Sequence, residues 1–528
     1  MRRILSFTLF IFIQSIVAAQ INPAATYASL VSATELKKHL SVIASDSMEG
    51  RETGTAGQRK AAAYIEKHFK SIGLQQVPSL NGYQQFFPIK QDSIQQVSFS
   101  AANEEAVWGI DFISPVSTNE SALFRSNDLV FVGYGIEDDL YSDYENHDVK
   151  GKVVVFFKGE PQKKGKYFIS SDGSASIWSD GGTGLITKLE IAKSKGAVGA
   201  LIIDPYQPNF NSQTIKRSKK TSLYYPTAID ESNRINFVYI THEYAMKIIG
   251  ADFELILSVV KRKELLNSIS LYKNIAIAYS YKKYAEVINA SNVIGVIVGS
   301  DKKDEYVFLT AHYDHLGIQN GVIYNGADDD GSGTVTVLQM ATAFAKAKKE
   351  GNGPRRTIVF MTVSGEEKGL WGSEYYSDNP IFPLEKTSVD LNTDMIGRID
   401  TERKTADSLN YVYVVGHDKI SSELPLINEA ANKKTTKLVL DYKFDDPKDP
   451  NRIYYRSDHY NFARKGIPVL FFYDGMLLAD YHQPTDDIER INWPLFEKRA
   501  QLIFYTAWEM ANRNEMLKRD KPLPEGSR

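Results

Sequence analysis

The chain has no cysteine among its 528 residues. Disulfides, thiolate metal sites, a lipid-modified cysteine and thiol catalysis are therefore excluded. Any metal must be held by histidine and carboxylates. A strong excess of either charge is also missing. The formal net charge is −3, which gives no support for nucleic-acid or membrane-surface binding. After the N-terminal segment, no stretch is long and apolar enough to cross a bilayer. What is present is ordinary for a folded enzyme-sized chain: 43% hydrophobic and 24% charged residues, enough length for two or three domains.

The first residues read as a targeting segment. Arg2 and Arg3 precede an apolar run from Ile4 to Val17, and Ala18 and Ala19 follow before Gln20. That is the charged, apolar and small-residue order of a cleavable export signal, expected over residues 1–19. An uncleaved anchor is the competing reading. The run is shorter than the ~20 residues of a span, and Gln14 and Ser15 interrupt it. Export without disulfides fits a secreted or bacterial periplasmic protein, with no stable membrane anchor after cleavage. The oligomeric state is not legible.

The pattern along the chain predicts an α/β protein. Residues 20–122 hold amphipathic helices at Ala33–Ser45 and Ala56–Ile72, the second opened by a Thr55/Gln58 capping box, and then alternating strands. Residues 123–281 form strand–helix–strand material of their own and read as an inserted β-rich domain. Residues 282–516 alternate strands and helices, which implies a mixed, largely parallel sheet with helices on both faces. Ligands should then gather at the carboxyl ends of its strands. The segments VIGVIVG and EYVFLTAH flank a DKKD turn and are expected to form a hairpin. Residues 517–528 read as a tail.

Five short fragments between Ala311 and Asp487 carry the chemistry: AHYDHLG, NGADDDGSG, VSGEEKGLWGSE, LNTDMIG and YHQPTDD. Each sets a nitrogen or oxygen donor beside glycine or at the end of an apolar run. His312 ends the strand YVFLT, and Asp314 is placed to accept its ring N–H and fix the tautomer. His315 is expected to point elsewhere. In DDD, one of Asp328, Asp329 and Asp330 is placed to bridge two ions, and spacing does not choose among them. Glu366 and Glu367 follow an apolar strand, so one can bind metal while the other acts as general base. Asp394 is a carboxylate at a buried strand end, which needs a cation or several donors to stay charged. His482 lies in a loop rigidified by Pro484, beside Tyr481, a candidate donor to an oxyanion. Taken singly, most of these have a plain structural explanation: a packed histidine, a solvated acidic cap, a surface Glu–Glu pair. Together, in this order, they read as a two-metal hydrolytic site.

These fragments resemble the co-catalytic dizinc aminopeptidase family, whose relatives include glutamate carboxypeptidase II, glutaminyl cyclases and the transferrin receptor. The resemblance covers residues 292–514, and the segment ASDSMEGRETGTAGQ resembles the family's N-terminal portion. Residues 123–281 resemble a protease-associated (PA) domain. The resemblance implies a zinc-peptidase, phosphorylase-like fold and two zinc ions per chain. It implies that His312, Asp329 and Asp394 hold one ion, and Asp329, Glu367 and His482 the other. Glu366 would be the base, Tyr481 the oxyanion donor, Asp314 the partner of His312, and the Asp329–Asp330 peptide cis. Asp330 departs from the asparagine that relatives often carry.

The expected activity is exported, zinc-dependent removal of N-terminal residues from peptides with a free amino terminus. Carboxypeptidase, dipeptidase or glutaminyl-cyclase-like action on the same scaffold is the alternative, and a non-catalytic receptor-like role a third. Asp441, Asp445, Asp446 and Asp458 are candidates for holding a substrate ammonium. Arg456 is expected to pair with a neighbouring aspartate rather than meet a substrate carboxylate, and His459 to be a packed helix residue.

Overall fold

Runs of apolar residues with no polar alternation, such as RTIVFMTV and YVYVV, must be buried on both faces, and a sheet between two helical layers gives them that environment. The structure, a computed structural model, describes residues 23–226, 234–266, 271–446 and 448–523. The expected export signal and the last residues of the tail lie outside the described residues. Among the described residues no helix is long and apolar enough to cross a membrane. The chain divides into one unit made of the residues up to Phe87 together with Asn289 onward, and a second unit, Pro88–Ile288.

The first unit carries all five fragments. Its strands in chain order are β1 (Leu271–Ile297, of which the last residues belong here), β2 (Lys302–His312), β3 (Arg356–Val363), β4 (Thr387–Thr393), β5 (Tyr411–Val415), β6 (Val439–Asp441) and β7 (Val469–Tyr473). They lie in the order β6-β5-β7-β4-β2-β3-β1. β2 is parallel to β3 and β4, β4 to β7, and β5 to β6, whereas β1 and the β5–β7 pair are antiparallel. The sheet is thus mixed and largely parallel. The expected β1–β2 hairpin does not form: β3 lies between them, antiparallel to β1 and parallel to β2. β2 is buried on both faces from Val307 to His312. It needs ladder partners on both sides, and a two-stranded hairpin would leave one side open.

Helices cover both faces, and the period of two along each strand assigns its side chains to them. On one face Phe344 of the helix Gly333–Lys349 meets Phe360 of β3 and Phe504 of the helix Trp493–Asn512, at ring-centroid distances of 6.2 and 4.8 Å. On the other, Phe308 of β2 meets Tyr376 and Phe462 at 5.5 and 5.4 Å. Ser32 and Thr55 cap the two early helices through their hydroxyls. The capping box at Thr55 is only half made, because the Gln58 amide instead donates to Tyr313 and Ser291.

Pro88–Ile288 has its own core. Strands Ala122–Phe131, Val153–Phe157, Gly199–Ile203 and Phe237–Ile240 run parallel in that order. Residues 271–281 pair antiparallel with Ala122–Phe131. VVVFF and GALII are buried along their whole length.

Candidate metal centre

Because β2, β3, β4 and β7 are mutually parallel, their carboxyl ends share one edge of the sheet. His312 is the last residue of β2, Glu366 and Glu367 follow β3, Asp394 follows β4, and His482 lies in the loop after β7. Register makes the convergence concrete: His312 stands opposite Val363, and Thr310 opposite Asn392, two residues before Asp394.

Asp329 joins two donor groups. One of its oxygens is 3.3 Å from His312 Nε2, and the other 3.2 Å from His482 Nε2. His312 Nε2 also lies 3.5 Å from Asp394 Oδ1, and His482 Nε2 2.9 Å from Glu367 Oε2. The other two aspartates of the row face backbone amides. Asp328 accepts from Gly397 N at 2.7 Å, and Asp330 from Gly333 N, His312 N and Met395 N at 2.7, 3.1 and 3.2 Å. Asp330 is a scaffold that ties a strand end, a helix start and the Asp394 loop together. A Cβ on Gly333 would sit 2.2 Å from the Thr393 carbonyl and 2.4 Å from that carboxylate, so only glycine allows this approach. The Asp329–Asp330 peptide is cis.

His312 Nδ1 lies 3.1 Å from the backbone carbonyl of Asp314, but 3.7 Å from its carboxylate. The tautomer is thus set by a carbonyl, which can only accept, and Nε2 is directed at Asp329 and Asp394. The Asp314 carboxylate instead accepts from Thr53 Oγ1 at 2.7 Å and Glu366 N at 3.3 Å. Glu366 belongs to neither donor group, and its carboxylate reaches 3.8 Å from His312 Nε2. It lines a cleft with Asp394, Ile453, Arg456, Tyr473 and Tyr481. Arg456 donates to the Tyr481 hydroxyl at 2.9 Å rather than to an aspartate. The Tyr481 ring stacks on His482, which has a left-handed φ of 56°.

The electrostatics are those of a buried acidic centre. Burial works against His312, but Asp394 and Glu366 hold its pKa well above the ordinary value. For His482 the same opposition, with Asp329 and Glu367 prevailing, gives about 10. Asp329 is held well below the usual range by its histidines despite burial. Burial, with Asp394 and Glu367 nearby, pushes Glu366 well above its usual range against the pull of His312. The donor set is what a borderline cation such as zinc takes, nitrogen and carboxylate oxygen within one small volume. His312 Nε2, Asp329 Oδ2 and Glu367 Oε1 are buried and have no hydrogen-bond partner of fitting geometry, so the residues fit a metal.

Several residues that position the site were not singled out in the sequence. Arg51, fully buried, donates to the carbonyls of Tyr313, Ile43, Asn325 and Gly326 at 2.6–2.9 Å. Asp486 accepts from Asp328 N and Asp329 N at 3.1 and 3.0 Å. Ser457 donates to Asp394 at 2.6 Å. His315, expected to point away, is instead buried against the site, with Nδ1 2.7 Å from Glu367 Oε1. The chain turns sharply after β2, so strand alternation no longer decides where its ring goes.

Of the aspartates considered for an ammonium, Asp441 is paired with Arg403 and Asp445 with His417 and Lys419, while Asp446 is exposed. Asp458 is buried, accepts from Ser373, and is pushed up by burial to about 7. His459 packs on Phe471 at a centroid distance of 4.8 Å.

The chain is similar to several known proteins over part of its length. A probable leucine aminopeptidase of Arthroderma otae is 29% identical over 219 residues, 40% of this chain and 56% of that protein. Aminopeptidase Y of Saccharomyces cerevisiae is 26% identical over 256 residues, 46% of this chain and 43% of that protein. The chain thus spans about half the length of the curated relatives it matches. An aminopeptidase from Aneurinibacillus sp. strain AM-1 covers 93% of this chain and 97% of its own, at 18% identity and a TM-score of 0.47. The sequence model of peptidase family M28 matches residues 292–507. That span holds every residue of both donor groups, and its buried His, Asp and Glu clusters are sets of side chains that could hold metal ions.

Proposed function

We propose that the protein is an exported aminopeptidase working with two zinc ions, one held by His312, Asp329 and Asp394 and the other by Asp329, Glu367 and His482. The observation that carries this reading is Asp329, whose two oxygens face two histidines of separate donor groups, while the neighbouring Glu366 stays outside both. The names of the relatives favour an amino-terminal peptide bond. The N-terminal charge and apolar order supports export, and the strand–helix repeat of the second unit is read as a PA-like domain.

When bound, the ions supply an acidified water and a Lewis acid for the scissile carbonyl. The chain's own residues do the rest. Glu366, drawn up in pKa by burial and by Asp394 and Glu367, takes the proton of the attacking water and passes it to the leaving amine. Arg456 donates into the Tyr481 oxygen, which leaves the phenolic hydrogen free to donate to the carbonyl oxygen as charge develops there. Asp314, through Glu366 N and Thr53, and Ser457, through Asp394, keep the base and the ligand in place.

A panel of free and N-acetylated aminoacyl amides, assayed with and without a chelator, tests the reading. Cleavage confined to free amines and abolished by chelation is expected. Equal turnover of the acetylated set would remove the aminopeptidase assignment.

A further inference from the structure

His315 is the unexplained histidine of the centre. It is fully buried, and neither ring nitrogen has a hydrogen-bond partner of fitting geometry. Buried imidazoles seldom leave both nitrogens without a well-formed hydrogen bond, so a partner of another kind is expected there. Its ring is also held in place. Gly326, at φ 55°, lies directly against it, and a Cβ there would fall 2.4 Å from His315 Cγ. The adjoining loop is fixed in turn by Arg51, which binds the Asn325 and Gly326 carbonyls.

Nδ1 of this ring faces the second donor group only. It is 2.7 Å from Glu367 Oε1 and 3.8 Å from Asp329 Oδ2, while His482 Nε2 lies 2.9 Å from Glu367 Oε2 and 3.2 Å from Asp329 Oδ2. In a tetrahedral zinc site with bonds of about 2.0–2.1 Å, neighbouring donors stand about 3.4 Å apart. The four separations bracket that spacing. The first group has three protein donors: His312, Asp329 and Asp394.

We infer that His315 Nδ1 is a fourth protein ligand of the ion held by Asp329, Glu367 and His482, so that the two metal positions are unequal. This rests on the metal reading of the site given above. One position is closed by four protein donors, the pattern of a retained, structural ion. The other, at His312 and Asp394, keeps a coordination place open on the side of Glu366 and the cleft, as a catalytic ion requires. Metal should therefore leave in two steps, the cleft-side ion first.

The test is zinc X-ray absorption on the full-length loaded protein, with zinc affinity measured by chelator competition, for the wild type, His315→Ala and His315→Gln. Three imidazoles shared by two ions are expected in the wild type and two in each variant. One of the two affinities should fall by roughly 10²-fold or more and the other stay unchanged, since even residues that only support a ligand are worth 10–100-fold in metal affinity. A wild-type count of two imidazoles for two ions, or unchanged affinity at both positions in the variants, overturns the assignment. If the variants do not fold, the wild-type count alone decides. The outcomes also separate from those of the proposed activity. Three imidazoles without hydrolysis of free aminoacyl amides sinks the aminopeptidase reading and leaves His315 a ligand. Hydrolysis with two imidazoles does the reverse, and a wild type that binds no zinc sinks both.

Discussion

Glu366 and Glu367 are adjacent yet chemically opposite. Glu367 is pulled below its ordinary pKa by His315 and His482, against burial and Asp329. Glu366 has only the more distant His312 to oppose burial and is raised. Removing the charge of Glu366 should therefore stop proton transfer without disturbing either donor group. For Glu366→Gln, a loss of about 10³-fold or more in kcat is expected, general-base contributions being typically 10²–10⁴-fold, with bound zinc unchanged by elemental analysis. A variant that keeps substantial turnover, or that loses its zinc, contradicts the division of roles. The five residues proposed as ligands, which the structure brings together, stand out in the sequence because each sits where an apolar run meets glycine or a loop, a local signal. Arg51, Asp486 and Ser457 do not. Arg51 binds backbone carbonyls, which carry no sequence identity, and three of them lie more than 260 positions away. His315 was expected to point elsewhere, and it is instead buried against Glu367.

At the scale of elements, the parallel strands and their flanking helices follow from apolar runs and caps. The pairing of β1 with β3 does not, since a short turn between two apolar strands reads the same whether or not a third strand inserts. Polar turns show the same limit. In the second unit Asp143 accepts from Tyr134 N and Ile136 N at 3.0 Å and from the Tyr141 hydroxyl at 2.6 Å, and nothing in the segment YSDYENHD marks it as buried. Burial nonetheless outweighs these donors and pushes its carboxyl up to about 6. A carboxyl raised on folding favours the folded state while protonated. Its contribution is complete below the unfolded value near pH 4 and is lost as pH rises through about 6. Asparagine can accept the two amides through its oxygen and meet Tyr141 with its NH2. The stability of the wild type relative to Asp143→Asn should thus fall by up to about 3 kcal/mol between pH 4 and 7, read from urea unfolding of both proteins across that range. Parallel pH profiles for the two would contradict it.

For the whole molecule, the near-neutral net charge hides a strong local imbalance. Asp328, Asp330, Asp474 and Asp486 are buried around the centre and all raised, first by burial, with Asp486 at about 6. Arg51, Arg398 and Arg499 offset only part of this, Arg51 through carbonyls rather than carboxylates. The carboxylates of the centre favour protons on its histidines: His482 is raised to about 10, and His312 also stands well above its ordinary value. A metal binds neutral imidazole, so loading must expel protons that the metal-free protein holds at pH 7, and zinc affinity must rise with pH as those protons become easier to remove. Titration calorimetry in two buffers of different ionisation enthalpy should show net proton release on zinc binding between pH 6 and 8. It should also show apparent affinity increasing across that window. Binding to the folded state alone adds about 2.7 kcal/mol at free zinc a hundredfold above Kd, so the unfolding transition should move up on loading, and by more at pH 8 than at pH 6 for the same free zinc. Binding without net proton release, and a shift that does not grow as pH rises, would mean that the histidines are neutral before metal arrives. The surplus of buried carboxylates would then have to be neutralised by protons on the acids themselves.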